Sequence, residues 1–456
     1  MFFVCIQTYT VNPKDIKVRL NRSPRYSNYL MKRNIAFYIC RRSLIKVLAP
    51  VINHMVTHCL DSFQVIIFFP GWKISKPSQQ PNENEFNHLF GEYADIKKVE
   101  DGPDFVQKIE SSAIDAVITL APSVVELEDE GRKIIAETRK LGTKWIALPH
   151  IGDEVFIALE NIEFVMDDWD LICIMGPYWL NYIETYPHGL SKERLDLLKK
   201  RLVITGYPEL DGFKFINQSE VINKYGLPKD KPIIFLATAP LMSTGLMSRG
   251  LLHRFCPRTY RKPRILAINI IMAMVSVFHY PIYVPYIRYL KKLREFADRN
   301  NAFIVAKTRE KHNDPDSVEN YVDKIISDSS FYPFTTLELL SVSSLYFGFS
   351  SASIFEAIAA GVYSINVVNR PQKTFPKTGT NYKYLGDRSF VWNTQGVSEG
   401  INGTKISAYF KLDRFSKSNL DDYVVNKEQR ASLLSQFFSY FGKSSERFIE
   451  VLSSLW

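Results

Sequence analysis

Residues Ser343 to Val367 read SSLYFGFSSASIFEAIAAGVYSINV. A short apolar run, Leu345-Tyr346-Phe347, leads into a serine turn, then into helix formers from Ile354 to Ala360, then Gly361 and a second strand from Tyr363 to Val367. Serine opens helices by capping free N–H groups and glycine closes them, so the stretch predicts a compact βαβ unit. A helix that starts on Ser350-Ser351 just past a strand end presents unpaired amides, two hydroxyls and the positive end of its dipole, which suits a phosphate. Glu356 follows on the same helix, within reach of ribose or sugar hydroxyls, as acidic groups are in dinucleotide-binding folds. The ligand these residues point to is a nucleotide diphosphate bearing a sugar or polyol. The same serines also make an ordinary helix cap, so the rest of the chain has to decide between the two roles.

Outward from this unit the pattern repeats. Lys231 to Ala237 (KPIIFLA) and Ala302 to Ala306 (AFIVA) read as further strands of the same half. In the other half Phe63 to Phe69 (FQVIIFF) reads as the first buried strand, followed by Ala113 to Leu120, Lys144 to Leu148, Leu171 to Met175 and Leu202 to Thr205. Helical patterns, notably Val125 to Leu141 and Lys192 to Lys200, separate them. Buried strands alternating with helices predict parallel sheets covered on both faces. The fold class expected is α/β, with two doubly wound Rossmann-type domains facing across a cleft: residues 61–212, and residues 231–420 after a linker at 213–230. Helices at 421–456 close the chain, and ligands of such folds bind where the strands end.

A chain of 456 residues exceeds one ordinary core, in keeping with two domains. Its net charge of +9 is carried entirely by the first sixty residues, where ten Lys or Arg face a single acid, Asp15. That asymmetry points to local electrostatic attachment and excludes a chain-wide nucleic-acid surface. Because Ile35, Phe37, Tyr38, Leu44, Ile45, Val47, Leu48, Val51 and Ile52 lie among those charges, residues 1–60 read as a basic amphipathic region suited to an anionic membrane. The alternative is a basic helix packed on the body of the protein with its charges in water. Ile265 to Phe278, 14 residues long, is short for a transmembrane helix and reads as a buried or domain-packing helix, with a membrane-dipping hairpin as the alternative. No signal peptide precedes the first domain, so the expected location is cytoplasmic, peripheral to the inner face of the cell membrane. The five cysteines form no CxxC pair, which implies reduced thiols and no zinc site.

Five stretches then carry a resemblance by their order and spacing. They are LPHIGD (Leu148 to Asp153), VITGYPELD (Val203 to Asp211), KPIIFLATAP (Lys231 to Pro240), FIVAKTREKH (Phe303 to His312) and FGFSSASIFEAIAAG (Phe347 to Gly361). With them the chain resembles the GT-B glycosyltransferases, and within that group the CDP-glycerol glycerophosphotransferase and surface-polysaccharide transferase relatives. The resemblance implies a donor domain in the second half and a histidine from the first half facing it. His150 matches that histidine and is the candidate general base for an acceptor hydroxyl. Asp153 and Glu154 follow it, placed to orient the ring or to cap a helix. Relatives place a Lys-x-His-Pro turn after the strand that matches Ala302 to Ala306. Here Arg309 stands at the histidine position and His312 lies three residues on. Lys307 and Arg309 are expected to neutralise a departing diphosphate, with Ser350 and Ser351 on the phosphates and Thr238 and Ser243 lining them. Glu356 is expected at the ribose.

The activity implied is transfer of a sugar or polyol phosphate to a hydroxyl of a glycan or lipid-linked acceptor of the cell envelope. The nucleotide-sugar or CDP-polyol donor is a substrate, and neither a metal nor a resident cofactor is expected. Asp167-Asp168-Trp169-Asp170 contains a superficial DxD, but it precedes a strand where the metal motif follows one. Two alternatives remain: a UDP-N-acetylglucosamine 2-epimerase relative, disfavoured because the turn lacks the Gly-Gly and Glu-Glu pairs of those enzymes, and a catalytically degenerate scaffold.

Overall fold

A computed structural model of the chain describes residues 32–72, 80–120, 128–149, 169–177, 180, 191–238, 286–308, 318–327, 334–348, 353–367, 403–406 and 409–456. Two parallel sheets organise them. The first contains β1 (Arg33–Tyr38), β2 (Phe63–Pro70), β3 (Asp95–Val99), β4 (Ala116–Leu120), β5 (Lys144–Leu148), β6 (Leu171–Ile174) and β7 (Leu202–Ile204), in spatial order β3-β2-β1-β4-β5-β6-β7. The second contains β8 (Ile233–Ala237), β9 (Phe303–Thr308), β10 (Lys324–Ser327), β11 (Leu345–Gly348), β12 (Tyr363–Val367) and β13 (Gly403–Ile406), in order β10-β9-β8-β11-β12-β13. Both follow the doubly wound 3-2-1-4-5-6 order, so each has its topological switch point beside its first strand, at β1/β4 and at β8/β11.

The described helices are α1 (Ile45–His58), α2 (Glu83–Phe90), α3 (Gly102–Ser111), α4 (Glu128–Lys140), α5 (Lys192–Arg201), α6 (Gln218–Tyr225), α7 (Tyr286–Arg299), α8 (Thr335–Ser341), α9 (Ser353–Ala360), α10 (Tyr409–Ser416), α11 (Lys427–Phe437) and α12 (Ser444–Ser453). Among the described residues no helix is long and apolar enough to cross a membrane.

One expectation is corrected at the start of the first sheet. Phe63 to Phe69 is its second strand, because β1 precedes it and pairs in parallel with both β2 and β4. The apolar residues expected to face a leaflet, Ile35, Phe37, Tyr38, Leu44, Ile45, Val47, Leu48, Val51 and Ile52, are all buried. A doubly covered central strand is apolar on both faces, and α1 buries nearly its whole first half, so neither element has an apolar face left for a membrane. Several basic residues of this region are paired instead, Arg33 with Asp115 at 2.8 Å and Arg42 with Glu85 at 2.9 Å. Residues Ile265 to Phe278 lie outside the described residues.

The end of the chain returns to the first domain. Ser439 N–H donates to the Met175 carbonyl at 2.9 Å beyond β6, and the Lys144 ammonium donates to the Leu455 carbonyl. Gly176 admits this close approach, since a Cβ there would stand 2.6 Å from the Gln436 carbonyl oxygen. Asp211 receives the amides of Ser444 at 3.1 Å and Ser445 at 2.6 Å, a buried carboxylate on the positive end of α12. Phe355 of α9 packs on Phe437 and Phe438, so α9 belongs to a core shared by the first sheet, part of the second and the C-terminal helices.

Candidate functional site

The second-domain half of the site is built at the carboxyl ends of β9, β8 and β11, which lie side by side with Lys307 beside Ala237 and Ala237 beside Gly348. Thr238 is buried, and its hydroxyl donates to the Lys307 carbonyl at 3.0 Å. Its place in the structure is therefore a stitch between two strand ends. The Lys307 side chain projects from the next strand end, and its charge acts on Glu356.

The turn from β11 into α9 is framed by Tyr346 and Ser353. Tyr346 is fully buried, and its hydroxyl shares a 2.6 Å hydrogen bond with Ser353 Oγ in the first turn of α9. The tyrosine folds over Gly348 so closely that a Cβ there would lie 2.6 Å from a ring carbon. Only glycine leaves room for this arrangement, which fixes where the strand ends and the helix begins. Gly361 then closes α9 at φ +77, and Arg430 of α11 donates to the Ile358 carbonyl at 2.8 Å and to the Ala359 carbonyl, a cation at the negative end of the helix.

Glu356 sits one turn into α9 with its side chain 3% exposed. Across the domain junction, Lys46 Nζ of α1 donates to Glu356 Oε1 at 3.2 Å and to Glu209 Oε1 at 2.8 Å. Glu209 lies in the buried first part of the 3₁₀ segment Pro208–Phe215, its side chain 2% exposed, and its other oxygen accepts from the Tyr207 hydroxyl. The two carboxyl groups also hydrogen-bond each other. Two carboxyl groups against one ammonium leave an excess negative charge, and a hydrogen bond between two carboxyl oxygens requires a proton. Burial, with Glu356 opposite, pushes Glu209 up to about 8 despite the pull of Lys46. Burial also acts to raise Glu356, but Lys46, the bond from Glu209 and Lys307 outweigh it and hold Glu356 below its ordinary value. The proton therefore belongs to Glu209. Burial alone would lower Lys46, yet the two carboxyls leave it above its ordinary value.

Of the residues singled out from sequence, Lys307 and Thr238 lie at the neighbouring ends of β9 and β8, and Glu356 lies one turn into the helix that follows β11. His150, Ser243, Arg309, Ser350 and Ser351 lie outside the described residues, as do Asp153, Glu154, His312 and Asp167-Asp168. Asp170 is described, and it binds Arg139 at 2.9 Å and the Trp145 amide at 2.9 Å. Sequence reasoning missed Lys46 and Glu209 as site residues. A signal existed for each: Lys46 is the single charge in the run Leu44 to Ile52, and Glu209 stands inside VITGYPELD between residues that are themselves buried.

The chain matches no family model and no curated protein. Solved structures do share its architecture. A protein of Listeria monocytogenes assigned as a UDP-N-acetylglucosamine 2-epimerase aligns with a TM-score of 0.55 at 12% identity, over 93% of this chain and 96% of that one. The MnaA–UDP structure from S. aureus aligns at 0.54 with 11% identity, over 93% and 96%. A variant of the wall teichoic acid polymerase TagF aligns at 0.53 with 12% identity, over 93% and 88%. The fold is GT-B, as the resemblance implied.

Proposed function

We propose that this protein is a transferase that moves a sugar or polyol phosphate from a nucleotide-activated donor to a hydroxyl acceptor in cell-envelope polysaccharide biosynthesis. One observation carries the reading: Lys307 on β9 and Gly348 on β11 flank Ala237 of β8 at the carboxyl ends of three neighbouring strands, with Glu356 one turn into the helix that follows β11, beside the β8/β11 switch point where open α/β sheets take nucleotides. In this reading the donor diphosphate lies over the turn between Gly348 and Ser353, held by the amides that open α9, by Ser350 and Ser351, and by Lys307 and Arg309. Thr238 and Ser243 flank it, and Glu356 orders the ribose side of the site. His150 takes the acceptor proton. Catalysis then rests on positioning and on stabilising the departing diphosphate, not on covalent chemistry of the protein. The TagF likeness accords with this reading at the level of fold.

The test is thermal stabilisation by CDP, UDP, GDP and dTDP conjugates, with wild type beside Lys307→Ala. A ligand at a hundred times its Kd stabilises by about 2.7 kcal/mol, and the variant is expected to lose most of that with its own fold intact. The selected donor is then incubated with and without an acceptor. Nucleotide release that depends on the acceptor and on His150 supports transfer. An epimerised donor sugar formed without acceptor would reassign the chain to the 2-epimerases, and stabilisation by no conjugate would reassign it to a scaffold.

A further inference from the structure

Lys46, Glu209 and Glu356 do more than satisfy one another, because they are the charged groups that face each other across the two domains. Lys46 belongs to the first turn of α1 and Glu209 to the segment after β7, whereas Glu356 belongs to α9 of the second domain. Both helices start at the carboxyl ends of their sheets, so the contact lies on the cleft side of the junction. We propose that these three side chains form a proton-holding clasp: the proton shared between Glu209 and Glu356 keeps the two domains closed on each other, and its loss lets the cleft open.

The charges around the clasp make this specific. Closed, the site holds one ammonium, one carboxylate and one neutral carboxyl, a balanced set. Releasing the proton to solvent leaves two carboxylates sharing Lys46 in surroundings that keep them 2% and 3% exposed, and separating the domains relieves that repulsion by hydrating both. Among the described residues the other groups facing the clasp are Tyr207, whose hydroxyl binds Glu209, and Lys307, which favours the ionised form of Glu356. Charges on the elements packed behind it are engaged elsewhere. Asp211 caps α12 with His54 and Lys214 beside it, and Glu338 of α8 holds Lys224 and Tyr225. The device needs no donor and stands independently of the transferase reading.

The experiment uses the full chain without nucleotide, as wild type and as Glu209→Gln. Glutamine still donates to Glu356 and leaves Lys46 one carboxylate, so the variant is a permanently closed clasp with nothing to titrate. Infrared spectra from pH 5 to 9 read the proton. A protonated-carboxyl band that persists at pH 7 in wild type, fades above pH 8 and is missing in the variant is expected. Hydrogen exchange of residues 207–216 and 353–360 reads closure, and the wild-type to variant ratio cancels the intrinsic pH dependence of exchange. The ratio is expected to rise by up to about tenfold per pH unit between pH 5 and 8 and then level off. No such band at pH 7 overturns the shared proton, and a flat ratio overturns the clasp even if the band is present. Should Glu209→Gln fail to fold, Glu356→Gln replaces it as the one-charge reference. Should both fail, the wild-type band still decides the shared proton, and wild-type exchange corrected for intrinsic rates still decides the clasp.

Discussion

Lys46 holds its charge between two carboxyl groups from which water is almost excluded, and single substitutions there separate charge balance from packing. Lys46→Ala leaves Glu209 and Glu356 buried without their ammonium, and breaking a buried pair in this way costs about 3–5 kcal/mol. Urea unfolding should show a loss of that size, and a loss under about 1 kcal/mol would mean the carboxyls find water instead. Gly348 depends on shape rather than charge. Its Cβ would meet the Tyr346 hydroxyl oxygen and stand 2.5 Å from the ring, so Gly348→Ala should lower stability by about 1–3 kcal/mol. Gly348→Ala combined with Tyr346→Phe tests the cause, because it removes the hydroxyl, the atom nearest the new Cβ, but leaves ring carbons at 2.5 and 2.6 Å, so the double variant should remain less stable than Tyr346→Phe alone.

At the scale of the element, α9 is a helix whose two ends are held by different parts of the chain. Its first turn is tied to β11 through Tyr346 and Ser353, and its last carbonyls are tied to α11 through Arg430. Arg430→Ala removes a cation and two donors from the negative end of the helix, which should cost about 1–2 kcal/mol. Exchange of the Ile358 to Gly361 amides should accelerate in that variant while the first turn stays protected. Equal acceleration at both ends would show that the helix opens as one unit. The element also explains a sequence expectation that needed correction. Residues 1–60 read as amphipathic because charges punctuate an apolar run, but in their described part helix α1 directs its apolar residues into the core and points Lys46 at the domain junction.

Across the whole molecule, stability should follow the Glu209 proton. Its folded value of about 8 lies above the ordinary 4.5, so the folded chain binds this proton more tightly than the unfolded one. The resulting stabilisation is full below about pH 4.5, declines by up to about 1.4 kcal/mol per pH unit as the pH rises and is gone above about 8. Glu209→Gln should lack this slope. His54, which burial and then His58 hold below its ordinary value, contributes with the opposite sign and survives in the variant, so the wild-type minus variant curve isolates Glu209. Deleting residues 1–60 removes β1 from the middle of a seven-stranded sheet, and the remainder should show no cooperative thermal transition. Cooperative unfolding of that fragment would mean the sheet can close without its central strand.

Most of the fold was legible because buried parallel strands are written locally. The runs at Lys144 to Leu148, Leu171 to Met175 and Lys231 to Ala237 are apolar on both faces, and residues a few positions apart decide that. The turn from strand to helix around Gly348 and Ser353 was legible for the same reason, since capping and close approach act within a few residues. β1, β3, β10 and β13 were missed: β3 and β10 are short and carry charges at the sheet edges, and β1 was masked by the basic residues around it. The clasp was not legible at all. Lys46 and Glu356 are 310 positions apart, and whether an ammonium meets one carboxyl, two or water depends on how the domains dock. The sequence by itself determined two doubly wound domains and the strand-to-helix order around Gly348 and Ser353. Only the tertiary structure decided which charges share a buried space, because burial and pairing are properties of distance in space, not of separation along the chain.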